Sequence, residues 1–179
     1  MATYLIRKAV PDDCEEIVRL IKELAEYESM PDQCEMTPEK LRADAFCDQP
    51  FVHLLVAVCT ESKATVAYSS FSYMYSSWKG RTAYLDDLYV TPAHRGSGLG
   101  TSLMQSVAKC AFERGCNRMN WIVLSWNKRP AELYARIGGE NLTKKENWEN
   151  ITLFQEQLKN FATNYKVKLG ADTTVNVQL

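Results

Sequence analysis

The sequence predicts an α+β fold in a single domain, on three observations. Apolar residues alternate in short runs typical of strands, they recur at helical spacing in other runs, and the two kinds of segment follow one another without a linker or repeat. A length of 179 residues suits one domain with its own core. We place this domain at residues 1–165. Residues 166–179 have no helical pattern and form a tail that is either frayed or an extra strand exchanged with a partner subunit.

The first half of the chain reads as a strand, two helices and three more strands. The first strand is predicted at residues 3–9, and a helix begins after Pro11 and ends near Tyr27, because apolar residues recur between them at helical spacing. Thr37 and Pro38 are typical of the start of a second helix. Strands are then predicted at residues 53–59, 65–76 and 83–90.

The second half begins with a helix, because Leu99, Leu103, Val107 and Ala111 recur at every fourth position. A buried strand, a short helix that ends at two glycines, and a strand running into a terminal segment are predicted at residues 118–126, 128–139 and 148–162. The predicted order is β-α-α-β-β-β-α-β-α-β.

Composition excludes several classes of function. A net charge of −1 argues against nucleic-acid binding, which needs a basic excess. No apolar run approaches the roughly 18 residues of a membrane span, and the charged N-terminus does not resemble a secretion signal, so we expect a cytoplasmic protein. The six cysteines contain no C-x-x-C pair and there are two histidines, so we expect no metal.

The stretch HRGSGLGTS, residues 94–102, has three glycines between a strand and a helix. Such loops let backbone N–H groups approach a phosphate. The dinucleotide fingerprint needs a third glycine where Thr101 stands, and the nucleotide P-loop needs a lysine that the stretch lacks. A tight turn without a ligand is the other interpretation.

What the loop does match is the pattern R-x-x-G-x-G, with Arg95, Gly98 and Gly100, after the acidic strand YLDDLYVTPAH. In this it resembles the GNAT superfamily of N-acetyltransferases. The stretches LRADAFCDQPFVHLLVAV and LSWNKRPAELYARIGGENLT narrow the resemblance to the diamine acetyltransferase group, of spermidine/spermine N(1)-acetyltransferase type. Within that group, WKGRT is most similar to the thialysine-associated paralogue.

This resemblance implies the GNAT fold, a mixed central sheet flanked by helices, and acetyl-CoA as co-substrate. It also implies a homodimer and a small amine as acceptor. The residues that match cofactor contacts of the family are Leu88, Tyr89, Val90, Arg95, Gly96, Ser97, Gly98, Leu99, Gly100, Thr101, Asn127, Lys128, Arg129 and Pro130.

The resemblance assigns catalysis to Tyr134, which would protonate the departing thiolate, and to Asp86. The positions that match the acceptor channel are Tyr27, Glu28, Asp86, Asn120, Trp121 and Ile122. The chemistry of amine acetylation agrees with carboxylates at these positions. An alkylammonium of pKa about 10.4 must be bound as a cation and then lose a proton before it attacks the thioester. A splayed strand would expose the Leu88 N–H to the oxyanion.

Each of these residues also has a structural interpretation. Glu28 could be a solvated charge at a helix end, and Tyr134 stands at helical spacing typical of core packing. Asp86 and Asp87 alternate along a strand, so one of them faces the channel and Asp87 is the structural one.

The function we expect is transfer of acetyl from acetyl-CoA to a primary amine of a small di- or polyamine, or of a lysine-like amine such as thialysine, by direct attack of the free amine on the thioester. The alternatives are a protein or peptide N-acetyltransferase and a non-catalytic acyl-CoA-binding protein. The polyamine enzymes of the group carry glutamate where this chain has Asp86, which leaves the acceptor open.

Overall fold

The computed structural model of the protein describes residues 3–164, which form one five-stranded sheet and six α-helices. The strands are β1 (Tyr4–Lys8), β2 (His53–Cys59), β3 (Thr65–Ser76), β4 (Gly80–Val90) and β5 (Arg118–Asn120). The helices are α1 (Cys14–Tyr27), α2 (Pro38–Ala45), α3 (Leu99–Glu113), α4 (Lys128–Arg136), α5 (Leu142–Glu146) and α6 (Gln155–Thr163). The contacts of the chain divide after Leu124 into two compact units.

The sheet belongs to the first unit and follows the order β1-β2-β3-β4-β5. Neighbours from β1 to β4 are antiparallel, whereas β5 runs parallel to β4. A mixed sheet with helices packed on it confirms the predicted α+β class. The single-domain prediction for residues 1–165 stays a prediction, and the tail at 166–179 lies outside the described residues.

Helices cover both faces of this sheet. On one face, α1 packs Ile17 and Leu20 into a buried cluster with Val56 and Tyr68. Side chains alternate between faces along a strand, so Leu55 points to the other face, where α3 contacts β2, β3 and β4. α3 buries Leu99, Leu103, Met104, Val107 and Ala111. The glycine loop therefore enters the face opposite to α1 and α2.

The predicted starts of the first helices are confirmed. The Thr37 side chain accepts from the Lys40 N–H at 3.3 Å and caps α2, with Pro38 at its first position. Before α1, Asp13 accepts two hydrogen bonds from the Arg7 guanidinium, at 2.6 and 2.8 Å, and one from the Val10 N–H at 2.7 Å. This contact fixes β1 to the helix that carries Tyr27 at its end.

One predicted strand is shorter than expected, and another is wrong. The strand predicted at residues 118–126 is limited to β5, because its pairing with β4 ends where Asn120 meets Tyr84. The segment 148–162 is predicted as a strand running into a terminal segment, but it contains no strand and its second part forms α6. A strand needs a neighbour for its N–H and C=O groups, and within the described part of the second unit no strand forms beside it.

The second unit consists of α4, α5 and α6 in the residues that the structure describes. The predicted helix over residues 128–139 is confirmed as α4, and Gly138 at φ +86° ends it. Helix α5 is absent from the prediction, although the Asn141 side chain caps it by accepting from the Lys144 N–H at 3.0 Å. Over residues 3–164, the helices are too short or too polar to cross a membrane.

Candidate active site

The glycine loop joins β4 to α3 and leaves the start of this helix open. Gly96 and Gly98 have φ of +81° and +83°, a region that side chains disfavour. Gly98 is the N-cap and has no side chain to bond the N–H groups of the first turn. The Ser102 N–H donates to the Gly98 carbonyl at 3.0 Å, whereas the N–H groups of residues 99–101 precede the helical ladder. A Cβ on Gly98 would meet no atom within 4 Å.

Arg95 connects this loop to β4 and α1. Its Nε donates to the Val90 carbonyl at 2.8 Å. The guanidinium carbon lies 4.9 Å from the ring centroid of Tyr27 and 5.3 Å from that of Tyr89. The Tyr89 hydroxyl in turn donates to Oε2 of Glu23 at 3.2 Å. Arg95 therefore brings a residue of the predicted acceptor channel beside two residues of the predicted cofactor site.

The loop fits the diphosphate of acetyl-CoA. Available N–H groups at the N-terminus of a 15-residue helix, together with the helix dipole, favour an anion. Arg95 adds a cation, and the two left-handed glycines keep side chains out of the approach. The residues that would hold the diphosphate are therefore those of the stretch 95–101.

β4 carries a bulge at Asp86. In its pairing with β3, Asp87 lies opposite Ser70 and Leu85 lies opposite Phe71, so no residue of β3 is opposite Asp86. A bulge adds one residue, bends the strand and redirects side chains. The regular alternation along the strand is therefore interrupted at Asp86, and the charge of Asp86 acts on Asp87 and raises its pKa.

The part of β4 after the bulge has an edge without a strand neighbour among the described residues, since β5 pairs only with Thr82–Tyr84. The Thr91 N–H bonds to a β3 carbonyl, whereas the Val90 carbonyl accepts from Arg95 and so faces away from β3. Backbone groups alternate between the two edges of a strand. Leu88, two residues before Val90, therefore directs its N–H and C=O to the open edge, which is the geometry expected for an oxyanion donor.

Asp87 is half-buried and is held by two hydrogen bonds. The hydroxyl of Tyr68, a fully buried residue, donates to Oδ2 of Asp87 at 2.8 Å, and the Asp87 N–H donates to Oγ of Ser70 at 3.1 Å. Burial, with smaller contributions from the charges of Asp86 and Glu28, raises the pKa of Asp87 to about 6, although the hydrogen bond from the Tyr68 hydroxyl and the nearby Ser70 side chain lower it. This carboxyl changes its charge near pH 6.

Glu28 and Asp86 complete an acidic region around Asp87. Glu28 is the C-cap of α1 and half-buried, and this burial raises its pKa. Asp86 is open to solvent, yet the protein around it removes enough water to raise its pKa as well. The acidic region of Glu28, Asp86 and Asp87 is therefore suited to a cation, and its raised pKa values suit the acceptance of a proton.

The end of β5 carries the other predicted acceptor residues of the first unit. Asn120 pairs with Tyr84, two residues before the bulge. Trp121 is half-buried and Ile122 is 67% exposed. These side chains follow the point at which β4 and β5 separate.

The remaining predicted residues belong to the second unit. Asn127 is the N-cap of α4, and residues 128–130 begin its first turn. Tyr134 is half-buried in the next turn, and this burial raises its pKa above the usual value of about 10. Its phenol therefore keeps its proton at neutral pH, as a proton donor must.

Sequence reasoning missed the part that Asp87 and Tyr68 play in the acidic region. The two adjacent aspartates were the available signal, but strict alternation assigned one of them to structure. Nothing in a strand rich in Tyr and Ser distinguishes Tyr68 from its neighbours. Across residues 3–164, no three His, Cys, Asp or Glu side chains are grouped so that they could hold a metal ion.

Comparison with known proteins gives consistent matches. The sequence model of the acetyltransferase (GNAT) family matches residues 17–139. The chain is 41% identical over 168 residues to thialysine N-epsilon-acetyltransferase of Bos taurus, which covers 90% of this chain and 99% of that protein. It is 35% identical over 167 residues to spermidine/spermine N(1)-acetyltransferase-like protein 1 of Homo sapiens, over 90% of this chain and 24% of that protein.

A solved structure shares the fold. An integron cassette protein of V. cholerae superimposes with a TM-score of 0.72 at 22% identity, over 90% of this chain and 98% of that chain. The matched family segment contains β4, the glycine loop and α4, so it includes residues from both units. Acetyl-CoA is the co-substrate of this family. The chain belongs to the acetyltransferase (GNAT) family.

Proposed function

We propose that the protein transfers the acetyl group of acetyl-CoA to the side-chain amine of thialysine or of a closely similar lysine-like amine. The observation that carries the proposal is the 41% identity to the bovine thialysine N-epsilon-acetyltransferase, which extends over 99% of that protein. The acidic region supports it, because a small cationic amine needs carboxylates at its binding site. A thioether near the amine also makes thialysine less basic than lysine, so more of it is free to react at neutral pH.

The roles we assign follow from the site. Bound acetyl-CoA supplies the reactive thioester. The stretch 95–101 binds the diphosphate, and residues 127–130 are assigned to cofactor binding because they match cofactor contacts of the family. Glu28 and Asp87 attract the ammonium, and Asp86 accepts its proton directly or through water. The Leu88 N–H donates to the acetyl oxygen as negative charge develops there.

Tyr134 holds the proton that the departing thiolate requires. Its raised pKa keeps the phenol protonated until the sulfur leaves. Asn120, Trp121, Ile122 and Tyr27 line the path of the acceptor in this proposal. The amine nitrogen adds to the acetyl carbon, the carbon–sulfur bond then breaks as the thiolate leaves, and the products are the acetylated amine and the free thiol of coenzyme A.

We further infer a homodimer in the cytoplasm. Support for the dimer comes from large apolar side chains exposed on the chain, such as Ile151 at 81% and Phe154 at 74%. Sedimentation equilibrium tests the dimer, which predicts twice the chain mass of 20.4 kDa.

The experiment combines binding with turnover. Calorimetry measures acetyl-CoA binding, and thiol release is followed with thialysine, lysine, spermidine, spermine and a lysine-containing peptide. We expect binding and turnover, fastest with thialysine. Activity on the peptide without activity on free amines supports a peptide acetyltransferase instead, and binding without any turnover supports a non-catalytic acyl-CoA-binding protein.

A further inference from the structure

A cavity lies at the end of α3 that is remote from the glycine loop. It has a volume of about 490 Å³ and opens between β1, β2, β3 and the C-terminal turn of α3. This size is typical of small-molecule sites. A 15-residue helix is roughly 20 Å long, so the cavity is separated by about that distance from the residues that fit the diphosphate. None of the predicted acetyltransferase residues lines it.

One wall of the cavity consists of three aromatic rings. The ring centroid of His53 lies 5.4 Å from that of Phe71 and 4.9 Å from that of Tyr73. The rings of Phe71 and Tyr73 are edge to face at 5.8 Å. Burial, and then the charges of Arg114 and Lys8, lower the pKa of His53, so its imidazole is neutral at neutral pH. The three rings are tilted or edge to face to one another, so they form an uncharged apolar wall that an aromatic ring can contact edge to face.

Two cations border this wall. Lys8 and Arg114 both line the cavity, and the guanidinium carbon of Arg114 lies 4.5 Å from the ring centroid of Tyr73. Within residues 3–164 neither has an ion-pair partner, whereas Arg7, Arg19 and Arg42 each pair with a carboxylate.

The acidic side chain at the border, Glu113, lies 3.9 Å from Nζ of Lys109. Its charge is therefore partly offset by a residue that does not line the cavity. Lys8 and Arg114 together outweigh Glu113, so the net charge at the opening of the cavity is positive. A positive opening favours a ligand with an anionic group.

We propose that this cavity binds a small aromatic carboxylate, with its ring against His53, Phe71 and Tyr73 and its carboxylate between Lys8 and Arg114. The aromatic part of this ligand would contact the aromatic wall, and its carboxylate would supply the negative charge that neither Lys8 nor Arg114 has as an ion-pair partner within residues 3–164. The site would be a second ligand site, independent of acetyl transfer.

The test uses 2-naphthoate as the probe, with 2-naphthamide and 2-naphthylmethylamine as neutral and cationic analogues of the same shape. Calorimetry on the full chain measures their dissociation constants with and without saturating acetyl-CoA. We expect the carboxylate to bind at least tenfold more tightly than the amide, the amine not to bind, and acetyl-CoA not to displace the probe.

Variants locate the site. Lys8→Gln and Arg114→Gln should each weaken naphthoate binding about fivefold or more, and Cys110→Phe should abolish it by filling the cavity that Cys110 lines. Lys22→Gln, an exposed lysine of α1 outside the cavity, is the matched control and should bind as the native chain does. Acetyl-CoA binding by each variant shows that it is folded.

Three results would overturn the proposal. They are no naphthoate binding up to about 10 mM, equal affinity for the amide and the carboxylate, and displacement of naphthoate by acetyl-CoA. Unchanged affinity in both charge variants, with acetyl-CoA binding intact, would also contradict it, because the carboxylate would then lie elsewhere.

Discussion

Tyr68 donates a hydrogen bond from its hydroxyl to Oδ2 of Asp87 at 2.8 Å, although neither residue belongs to the part of the site that sequence reasoning assigned. Tyr68 is fully buried, and the carboxyl that it holds has a pKa of about 6. The pair therefore places a group that titrates near neutral pH in the acidic region with Asp86 and Glu28. The proposals for the acceptor amine depend on this electrostatic setting.

The charge of Asp87 should make acceptor binding depend on pH. Below about pH 6 the carboxyl is protonated in the folded protein, and above it a further negative charge attracts the ammonium. We expect the KM for thialysine to fall severalfold between pH 5 and pH 7, and Asp87→Asn to remove that step. Initial rates across this range measure it. Asp48→Asn, at an exposed position, is the control, and a step of equal size in Asp87→Asn would show that Asp87 does not contribute.

The hydrogen bond of Tyr68 should stabilise the fold most at high pH. The Asp87 carboxyl has a raised pKa, so it binds its proton more tightly in the folded protein than in the unfolded chain. The stability that the protonated Asp87 contributes is therefore lost as pH rises from about 4 to 6. Above that range the ionised group depends on its donors. Tyr68→Phe should cost about 1–3 kcal/mol at pH 8 and less at pH 5.

Urea unfolding at the two pH values measures this difference. Tyr75→Phe, at a tyrosine that is 76% exposed, should change the free energy of unfolding little at either pH. A loss in Tyr68→Phe that is the same at pH 5 and pH 8 would mean that the ionised form of Asp87 is not what the phenol stabilises.

The left-handed glycine at the start of α3 should be needed for acetyl-CoA. Gly98→Ala forces a side chain into φ +83°, which costs about 1–2 kcal/mol and distorts the N–H groups of the first turn. We expect calorimetry to show acetyl-CoA binding weakened about tenfold or more. Gly115→Ala, at φ +78° after the same helix, should lose similar stability but keep its affinity for acetyl-CoA. Equal affinity in both variants would count against the diphosphate site.

The length of the carboxylate at the bulge should influence the choice of amine. Asp86→Glu adds one methylene and moves the carboxylate by about 1 Å. A displacement of this size can lower the rate by up to about a hundredfold. We expect kcat/KM to fall for thialysine and to rise for spermidine relative to it. Kinetics with both amines measure the ratio, and the Asp48→Glu variant is its control. An unchanged ratio would show that Asp86 does not select the acceptor.

The phenol of Tyr134 should act on the chemical step and not on binding. Tyr134→Phe should lower kcat roughly a hundredfold or more while the dissociation constant for acetyl-CoA stays the same. Steady-state rates and calorimetry separate the two effects, with Tyr75→Phe as control. A variant with native kcat would refute the role of Tyr134 as proton donor.

The sequence predicted the first half of the fold closely because its signals are local. Strands 53–59 and 65–76 have the bounds that their apolar patterns indicated, and Thr37 caps α2 as expected. The strand predicted at 118–126 is shorter than expected and the one predicted at 148–162 is wrong, because a strand depends on partners that its own residues do not specify.

The same distinction between local signals and contacts with other strands applies to the candidate site. The glycine loop was recognisable from Arg95 and its glycines, since their spacing reflects a local backbone conformation. The bulge at Asp86 arises from the register between β3 and β4, and the hydrogen bond from Tyr68 to Asp87 joins these two neighbouring strands. Neither can be read from one strand alone, so the acidic region was only partly predicted.

The most direct test of the proposed function is a competition assay. Equal concentrations of thialysine, lysine and spermidine react together with limiting acetyl-CoA, and mass spectrometry identifies the acetylated products. We expect thialysine acetylated on its side-chain nitrogen to be the main product. Acetylspermidine as the main product, or no acetylated amine while acetyl-CoA binds, would contradict the proposal.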